Sequence, residues 1–338
     1  MRILITGMNK LQCTEDFYKF QQLKVVPSHY SLIRCLRGMG HTVEQRVVKI
    51  GESLDQYDRV ICFLHNAGSF VQSVYNVGWT LFERPDAILA YDDWQIESIY
   101  NSLYFSNERC EEDLFRDHLK NQHVQLDGFN EISKKFILKG LSRIRNDKMP
   151  VLISAFAGGD VTKLTKLENV HTYNPNPYHL HRQTMRVHPE DKDRTFNFAS
   201  LVQGKTQKWL KRQNCPWPIE FFGSKKDNQE RITEDVMVAV YAHHWGCLMP
   251  GYYHAGSGWW RARPTQVADV GSILIGEPDE MKIYYGNDAL ASLTAADLRD
   301  CSTHELTVIA EEQRNALYNL HPLDKDVQHH ELTTALDL

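Results

Sequence analysis

The sequence predicts an α/β protein with two domains, each built on a parallel sheet, and a cleft between them. Two features of the chain carry this prediction. Short apolar segments alternate with segments of helical periodicity through the first half, and the alternation resumes after an interruption near residues 174–194. The length of 338 residues also suits two domains better than one core.

The strands predicted for the first half are short apolar runs, as in the buried strands of parallel sheets. They cover 2–7, 42–48, 59–65, 87–92 and 150–156. A helix is predicted between the first two, because apolar residues recur there at helical spacing and Gly40 stands where a helix would end.

The interruption, "NPNPYHLHRQTMRVHPEDKDR", is rich in Pro, Asn, His and charge, as in a connection between domains. Beyond it we predict strands at 195–201, 219–223, 236–242 and 272–278, and a helix over 304–320. We therefore expect a first domain over 1–178, a second over 190–320, and a tail over 321–338 that returns to the first domain.

Composition narrows the class of protein. The net charge of -5 argues against a generally basic surface but leaves room for a local basic groove. No apolar run approaches the roughly 20 residues that cross a bilayer, and the N-terminus has no signal-peptide organisation. Seven scattered cysteines without a CxxC pair indicate neither a zinc site nor a disulfide framework. We expect a reduced, cytoplasmic protein that does not enter membranes.

Two nucleotide-binding motifs are missing. The first strand-to-helix turn, "TGMNKLQCTED", lacks the GxGxxG fingerprint, and no P-loop occurs in the chain. These absences argue against a dinucleotide cofactor and against ATP hydrolysis. A nucleotide-sugar glycosyltransferase needs neither motif.

The segment "AILAYDDWQ" ends a predicted strand in two adjacent carboxylates, Asp92 and Asp93. Strand ends in open α/β sheets are where catalytic groups reach a crevice. The alternative is that one of the two only caps a following helix, since Asp is a common N-cap. The two interpretations are compatible, one for each residue.

Six segments, in order along the chain, resemble the DNA β-glucosyltransferases of T-even bacteriophages, which have the GT-B architecture of two Rossmann-like domains facing a central cleft. The segments are "VVPSHYSLIRCLRGMGHTVE", "AILAYDDWQ", "TYNPNPYHLH", "RTFNFASLVQGKTQKWL", "PIEFFGSK" and "GWWRARPTQVADVGSILIGEPDE". The resemblance implies an enzyme that transfers a sugar from a UDP-sugar to a base in DNA.

The resemblance implies that Asp92 or Asp93 is the general base of an inverting reaction, with a slight preference for Asp92. It also places Ser28 and His29 at the donor sugar. Tyr30 stands where the family has an acidic residue, which favours a different sugar or a different grip on the same one.

For the diphosphate, Lys205 is the candidate, with Lys208 as an alternative, because Lys205 follows Gly204 at the start of a predicted helix. Enzymes of the family have arginines in this loop, so the lysine departs from the resemblance. Arg261 aligns with the family's diphosphate-binding arginine, and Arg263 follows two residues later.

The ribose position departs from the family. In the family a glutamate binds the ribose hydroxyls, but Pro264 occupies the aligned position in this chain. Gln266 or Thr265 is then the expected hydrogen-bonding partner, and Gln266 is assigned to the donor site.

A basic segment is the candidate DNA-binding surface. It contains Lys134, Lys135, Lys139 and Arg143, and residues 225–231 form a second candidate. Such a run of charge is also typical of a solvated helix face. Reaching a base inside a duplex requires flipping it into the cleft, and the flanking phosphates require cations.

We therefore predict a phage-type DNA glycosyltransferase that moves arabinose or glucose onto the 5-hydroxymethyl or 5-hydroxy group of modified cytosine in duplex DNA. UDP-arabinose is slightly preferred over UDP-glucose because of Tyr30. The sequence indicates no metal site and leaves a divalent metal open. We expect a monomer in the cytoplasm of a phage-infected bacterium. The alternatives are a GT-B enzyme with a small-molecule or glycan acceptor, and a non-catalytic binding module.

Overall fold

The structure is a computed structural model that describes most, but not all, of the chain. The described residues are 1–7, 29–64, 77–91, 135–136, 139–140, 143, 150–155, 169–175, 186–199, 204–222, 234–251 and 261–337. They form two parallel sheets with helices packed on them, which confirms the predicted α/β class.

The strands are β1 (Arg2–Thr6), β2 (Thr42–Gln45), β3 (Arg59–Leu64), β4 (Ile88–Tyr91), β5 (Val151–Ser154), β6 (Val170–Tyr173), β7 (Asp193–Phe198), β8 (Ile219–Phe221), β9 (His244–Met249) and β10 (Ile273–Gly276). The helices are α1 (His29–Gly38), α2 (Gly204–Arg212), α3 (Glu234–His243), α4 (Ala262–Asp269), α5 (Pro278–Tyr285), α6 (Asp288–Ala291), α7 (Thr303–Leu320) and α8 (Lys325–Leu336). Residues 77–83 are also helical.

The first sheet has six parallel strands in the order β2-β1-β3-β4-β5-β6. Ile3 of β1 pairs with Val43 on one side and with Arg59 on the other. The strand order therefore reverses direction between β1 and β3, which is where open α/β sheets form a crevice at their carboxyl edge.

One face of the first sheet is covered by α1 and by the C-terminal helix α8, whose apolar residues share a core with the strands. Arg59 and Asn174 attach α8 through hydrogen bonds. The Arg59 guanidinium donates to the carbonyls of Leu336 (3.2 Å) and Asp337 (3.0 Å) at the helix end, where free carbonyls favour a cation. The Asn174 N–H donates to the Glu331 carboxylate at 3.3 Å. The end of the chain thus packs on the sheet with which the chain begins.

The second sheet has four parallel strands in the order β10-β9-β7-β8. Successive residues of a strand face opposite sides, so Leu248 joins one apolar cluster while Cys247 and Met249 join the other. Both faces are therefore buried, as parallel sheets require. Among the described residues, no helix is long and apolar enough to cross a membrane.

The strand predicted at 236–242 is wrong. This apolar run lies in α3, and the strand follows it as β9. Met237, Val238, Tyr241 and Ala242 face the core at helical spacing, while Val236 is 46% exposed. A short apolar run does not by its composition distinguish a buried helix from a buried strand.

The other predicted strands and the helix over 304–320 are confirmed, with ends that differ by up to three residues. The prediction omitted β6. This strand lies at the edge of the first sheet, and three of its four residues are half-buried or exposed, so its sequence lacks the apolar run that marks the other strands.

Candidate functional site

The carboxyl edge of the second sheet gathers three helix starts. Strands β7, β9 and β10 end at this edge, and α2, α4 and α5 follow them in the chain. The strand order reverses between β7 and β9, which marks this part of the edge as the crevice. Free N–H groups at helix N-termini give such an edge a positive potential that suits an anionic ligand.

Arg261 lies immediately before α4 with an extended backbone. Its Nη1 donates to Oε1 of Glu280, in the first turn of α5, at 2.6 Å. The two side chains are only 10% and 7% exposed, so this is a buried ion pair. It connects the starts of two helices at the carboxyl edge. Arginine ion pairs usually lie on the surface, whereas this one is buried.

A tyrosine completes this cluster. The Tyr284 hydroxyl, one helical turn after Glu280, donates to the same Oε1 at 2.6 Å. Burial, and next the Glu280 carboxylate, raises the pKa of Tyr284 well above its ordinary value, so the hydroxyl keeps its proton. The second oxygen of Glu280, Oε2, is buried and has no hydrogen-bond partner among the described residues.

Arg263 connects α4 to the end of β7. Its Nη2 donates to the Ala199 carbonyl at 2.7 Å, and its Nε donates to the Tyr241 hydroxyl at 3.1 Å. Ala199 is the first residue after β7, and Tyr241 lies in α3. Arg263 therefore connects the start of α4 to the end of β7 and to α3.

Gln266 and Pro264 both lie in α4 and are buried, and Gln266 is 4% exposed. The Thr265 hydroxyl donates to the Ala262 carbonyl at 2.8 Å, so it is used within the helix. The structure thus brings Arg261, Arg263 and Gln266 into one helix start, with Gln266 facing the protein interior.

Lys205 is the second residue of α2, and its side chain lies outside the described part of the structure. Lys208, one turn later, is exposed. The helix start predicted near Gly204 is confirmed, while the assignment of Lys205 to a phosphate stays a prediction.

At the first sheet, β4 ends at Tyr91, one residue before Asp92. Asp92 and Asp93 lie outside the described residues, as do Ser28, Lys134 and residues 225–231. His29 is the first residue of α1, and its side chain is not described. Tyr30, next in the helix, is 7% exposed.

The basic segment is described at a few positions. Lys135 and Lys139, four residues apart in helical conformation, are exposed, and Arg143 is half-buried. The Lys139 Nζ lies 5.6 Å from the centre of the Phe82 ring, and Phe136 stacks on the same ring at 4.4 Å. Because Lys135 and Lys139 are four residues apart, they lie on one face of the helix.

A close backbone contact docks this helical segment. A Cβ built on Gly140 would lie 1.7 Å from the carbonyl oxygen of Gly78, so only glycine fits there. The segment that carries Lys139 is thus packed against residues 77–83, which precede β4.

Two adjacent histidines, His243 and His244, have separate surroundings. The first is exposed and contacts the Ala239 carbonyl, and the second is 6% exposed beside Glu220. Burial lowers the pKa of His244. Within the described ranges, no group of three or more His, Cys, Asp or Glu side chains is placed to hold a metal ion.

Sequence reasoning missed Glu280, Tyr284 and Tyr241. Glu280 closes the segment "GEPDE" of the resemblance, but nothing local connects it to an arginine 19 residues earlier. The spacing of Glu280 and Tyr284, four residues apart in a helix, was the available signal.

Comparison with solved structures identifies the fold. The chain is similar over its full length to T4 phage BGT in complex with its UDP-glucose substrate, at 14% identity, full coverage of both chains and a TM-score of 0.57. It is similar to T4 phage BGT with UDP and Mn²⁺ at 14% identity, full coverage of both chains and a TM-score of 0.55. An α-glucosyltransferase with UDP and a 13-mer DNA containing an HMU base matches at 9% identity and a TM-score of 0.56, with 100% of this chain and 99% of that chain covered.

No protein-family model matches the sequence, and no curated protein matches it either. At 9–14% identity the structural likeness establishes the fold, which is the GT-B fold of these glucosyltransferases. The resemblance inferred from six sequence segments and the likeness to these structures point to the same fold.

Proposed function

We propose that this protein is a UDP-sugar-dependent DNA glycosyltransferase. It transfers arabinose or glucose to the 5-hydroxymethyl or 5-hydroxy group of modified cytosine in duplex DNA. The observation that carries this proposal is the likeness of the whole fold to phage glucosyltransferases, among them BGT with UDP-glucose and an α-glucosyltransferase with UDP and DNA.

The carboxyl edge of the second sheet supports the donor half of the proposal. Three helices start there, and Arg261 and Arg263 stand at the start of α4. A departing diphosphate develops negative charge, and helix N-termini with basic side chains stabilise such charge without reorganising. Lys205, second in α2, is the further cation we assign to this step.

The carboxyl edge of the first sheet supports the catalytic half. β4 lies inside that sheet and ends one residue before Asp92. Either Asp92 or Asp93 would take the proton from the acceptor hydroxyl as it attacks the anomeric carbon. A single displacement of this kind inverts the configuration, and the diphosphate leaves with the bonding electrons.

For DNA, the exposed Lys135 and Lys139 supply cations on one helix face, and Arg143 extends the segment. The contact of Gly140 with Gly78 fixes this face to the first sheet's connections. The cations would hold the phosphates beside a flipped base, with the protein acting as a monomer.

A second candidate function is sugar transfer to a small molecule or glycan by the same fold. The net charge of -5 favours it, because DNA-binding proteins are more often basic.

The test is release of UDP from UDP-arabinose or UDP-glucose in the presence of different acceptors. The proposal predicts fast release with duplex DNA that contains 5-hydroxymethylcytosine or 5-hydroxycytosine, and none above background with unmodified duplex. Release with glycans but with neither DNA would favour the second candidate.

A further inference from the structure

Glu280 carries a carboxylate oxygen that the described residues do not use. Its Oε1 accepts from both Arg261 and Tyr284, at 2.6 Å each. Its Oε2 is shielded from solvent and accepts no hydrogen bond within the described ranges. The residue as a whole is 5% exposed.

Several buried side-chain atoms within the described ranges lack a hydrogen-bond partner, and Oε2 of Glu280 is the one carboxylate oxygen among them. Buried polar atoms in native proteins almost always have a partner, and exceptions point to a functional group or a ligand. A carboxylate oxygen in water would be solvated, but Oε2 is excluded from water and receives no hydrogen bond from the part of the chain that the structure describes. A hydrogen-bond donor supplied by a ligand would therefore recover the lost interaction.

The charge around Glu280 decides which part of a ligand fits. Its carboxylate already offsets the positive charge of Arg261, with both side chains at or below 10% exposure. A phosphate brought to Oε2 would meet a second anion at short range, which is unfavourable. A neutral hydroxyl would interact favourably with Oε2, because it donates to a carboxylate in a charge-assisted hydrogen bond.

We propose that Glu280 is a specificity-determining residue of the donor site, whose Oε2 accepts a hydrogen bond from a hydroxyl of the UDP-sugar. Arg261 and Tyr284 are its positioning residues, since both hold Oε1 and so fix the direction of Oε2. This inference rests on the proposed function. It gives Arg261 a positioning role in addition to the diphosphate contact that the sequence resemblance implies.

A UDP-sugar offers hydroxyls from two sources, the ribose and the transferred sugar. Calorimetric binding of UDP, 2′-deoxy-UDP, 3′-deoxy-UDP and UDP-glucose distinguishes them. With ribose as the source, the wild type binds UDP at least about tenfold more tightly than one of the deoxy analogues, as expected for a hydrogen bond to a charged group. With the transferred sugar as the source, the wild type prefers UDP-glucose to UDP by a similar factor.

The variant Glu280→Gln keeps the shape of the side chain and removes the charge. We expect it to reduce the relevant preference to about two- to threefold, while binding of the analogue that lacks the hydroxyl changes little. Tyr284→Phe keeps both charges and should lower the same preference by a smaller factor. Glu277→Gln, three residues earlier and more exposed, is the matched control and should keep the wild-type preference.

Two results would overturn the assignment. In one, Glu280→Gln retains both preferences of the wild type. In the other, it weakens every ligand by the same factor, as a general structural effect would. A wild type that binds none of the UDP ligands would contradict the proposed function itself, so the two failures are distinguishable.

Discussion

The side-chain amide of Gln313, in α7, hydrogen bonds to both backbone groups of Leu274, in the edge strand β10. Its Oε1 accepts from the Leu274 N–H and its Nε2 donates to the Leu274 carbonyl, each at 2.9 Å. Gln313 is 1% exposed. The helix thus supplies the pairing that a neighbouring strand would give, and it protects an edge that would otherwise be open.

Replacing Gln313 by Leu should leave both backbone groups of Leu274 buried without partners. Each unsatisfied group costs about 1–3 kcal/mol, so the two together should lower the free energy of unfolding by about 2–6 kcal/mol. Denaturant titration followed by circular dichroism measures this loss. Glu312→Leu, at the exposed neighbouring position, is the control and should change stability by less than about 0.5 kcal/mol. Equal effects of the two changes would contradict the role of Gln313.

The general base should be identifiable by conservative substitution. We expect that either Asp92→Asn or Asp93→Asn lowers the rate of sugar transfer by about 10²–10⁴, because proton removal contributes on that order. Affinity for UDP should stay unchanged, since the three helix starts that we assign to the diphosphate all follow strands of the second sheet. Asp55→Asn, on the exposed surface of the same half, is the control. Full rates in both variants would exclude the two aspartates.

The basic face should contribute to DNA affinity through its charge. Reversing Lys135 and Lys139 together, each to Glu, should weaken binding to duplex DNA by about tenfold or more. Two lost phosphate contacts should also reduce the slope of log affinity against log salt by about 2. Affinity measurements at several salt concentrations test both effects.

The control for this change reverses Lys49 and Lys211, which are exposed and alter the net charge equally. It should leave the salt slope near its wild-type value. A double reversal of Lys135 and Lys139 that matches the control in affinity and slope would remove this face from the DNA site.

Lys192 should make stability depend on pH. The residue is 8% exposed, and its ammonium group donates to three acceptors, the carbonyls of Val270 (3.1 Å) and Gly271 (2.8 Å) and the hydroxyl of Ser272 (2.7 Å). Burial, and next the charge of Arg186, lowers the pKa of Lys192 from 10.5 to about 8. Between those pH values the unfolded chain binds more protons than the folded one, so stability rises with pH.

This contribution is isolated by comparing the wild type with Lys192→Met. From pH 7 to pH 10, the wild type should gain about 2–3 kcal/mol of unfolding free energy relative to Lys192→Met. Lys211→Met, at an exposed lysine, should show no such trend. A constant difference between wild type and Lys192→Met across this range would contradict the lowered pKa.

Sequence reasoning reached the α/β class and most strands because periodicity and turn residues act locally. It failed at "VMVAVYA", where the same apolar run suits a strand or a buried helix and tertiary packing decides. It also could not find contacts such as Gln313 with Leu274, since residues 39 apart meet only after the fold forms.

The candidate site shows the same limit. The resemblance assigned Arg261 and Arg263 to the donor site, and the structure places both at the start of α4. Their partners Glu280 and Ala199 lie on other elements. The roles of Asp92, Asp93 and Lys205 stay predictions, as do the domain boundaries at 1–178, 190–320 and 321–338.

The central claim is the transfer of a sugar to a modified base in DNA. Mass spectrometry of the nucleosides tests it most directly, after incubating the protein with UDP-glucose, UDP-arabinose and duplex DNA that contains 5-hydroxymethylcytosine or 5-hydroxycytosine. The account predicts that one modified cytidine gains the mass of a pentose or a hexose, which also identifies the sugar. Unchanged nucleosides from both DNAs, with a protein that binds UDP, would contradict it.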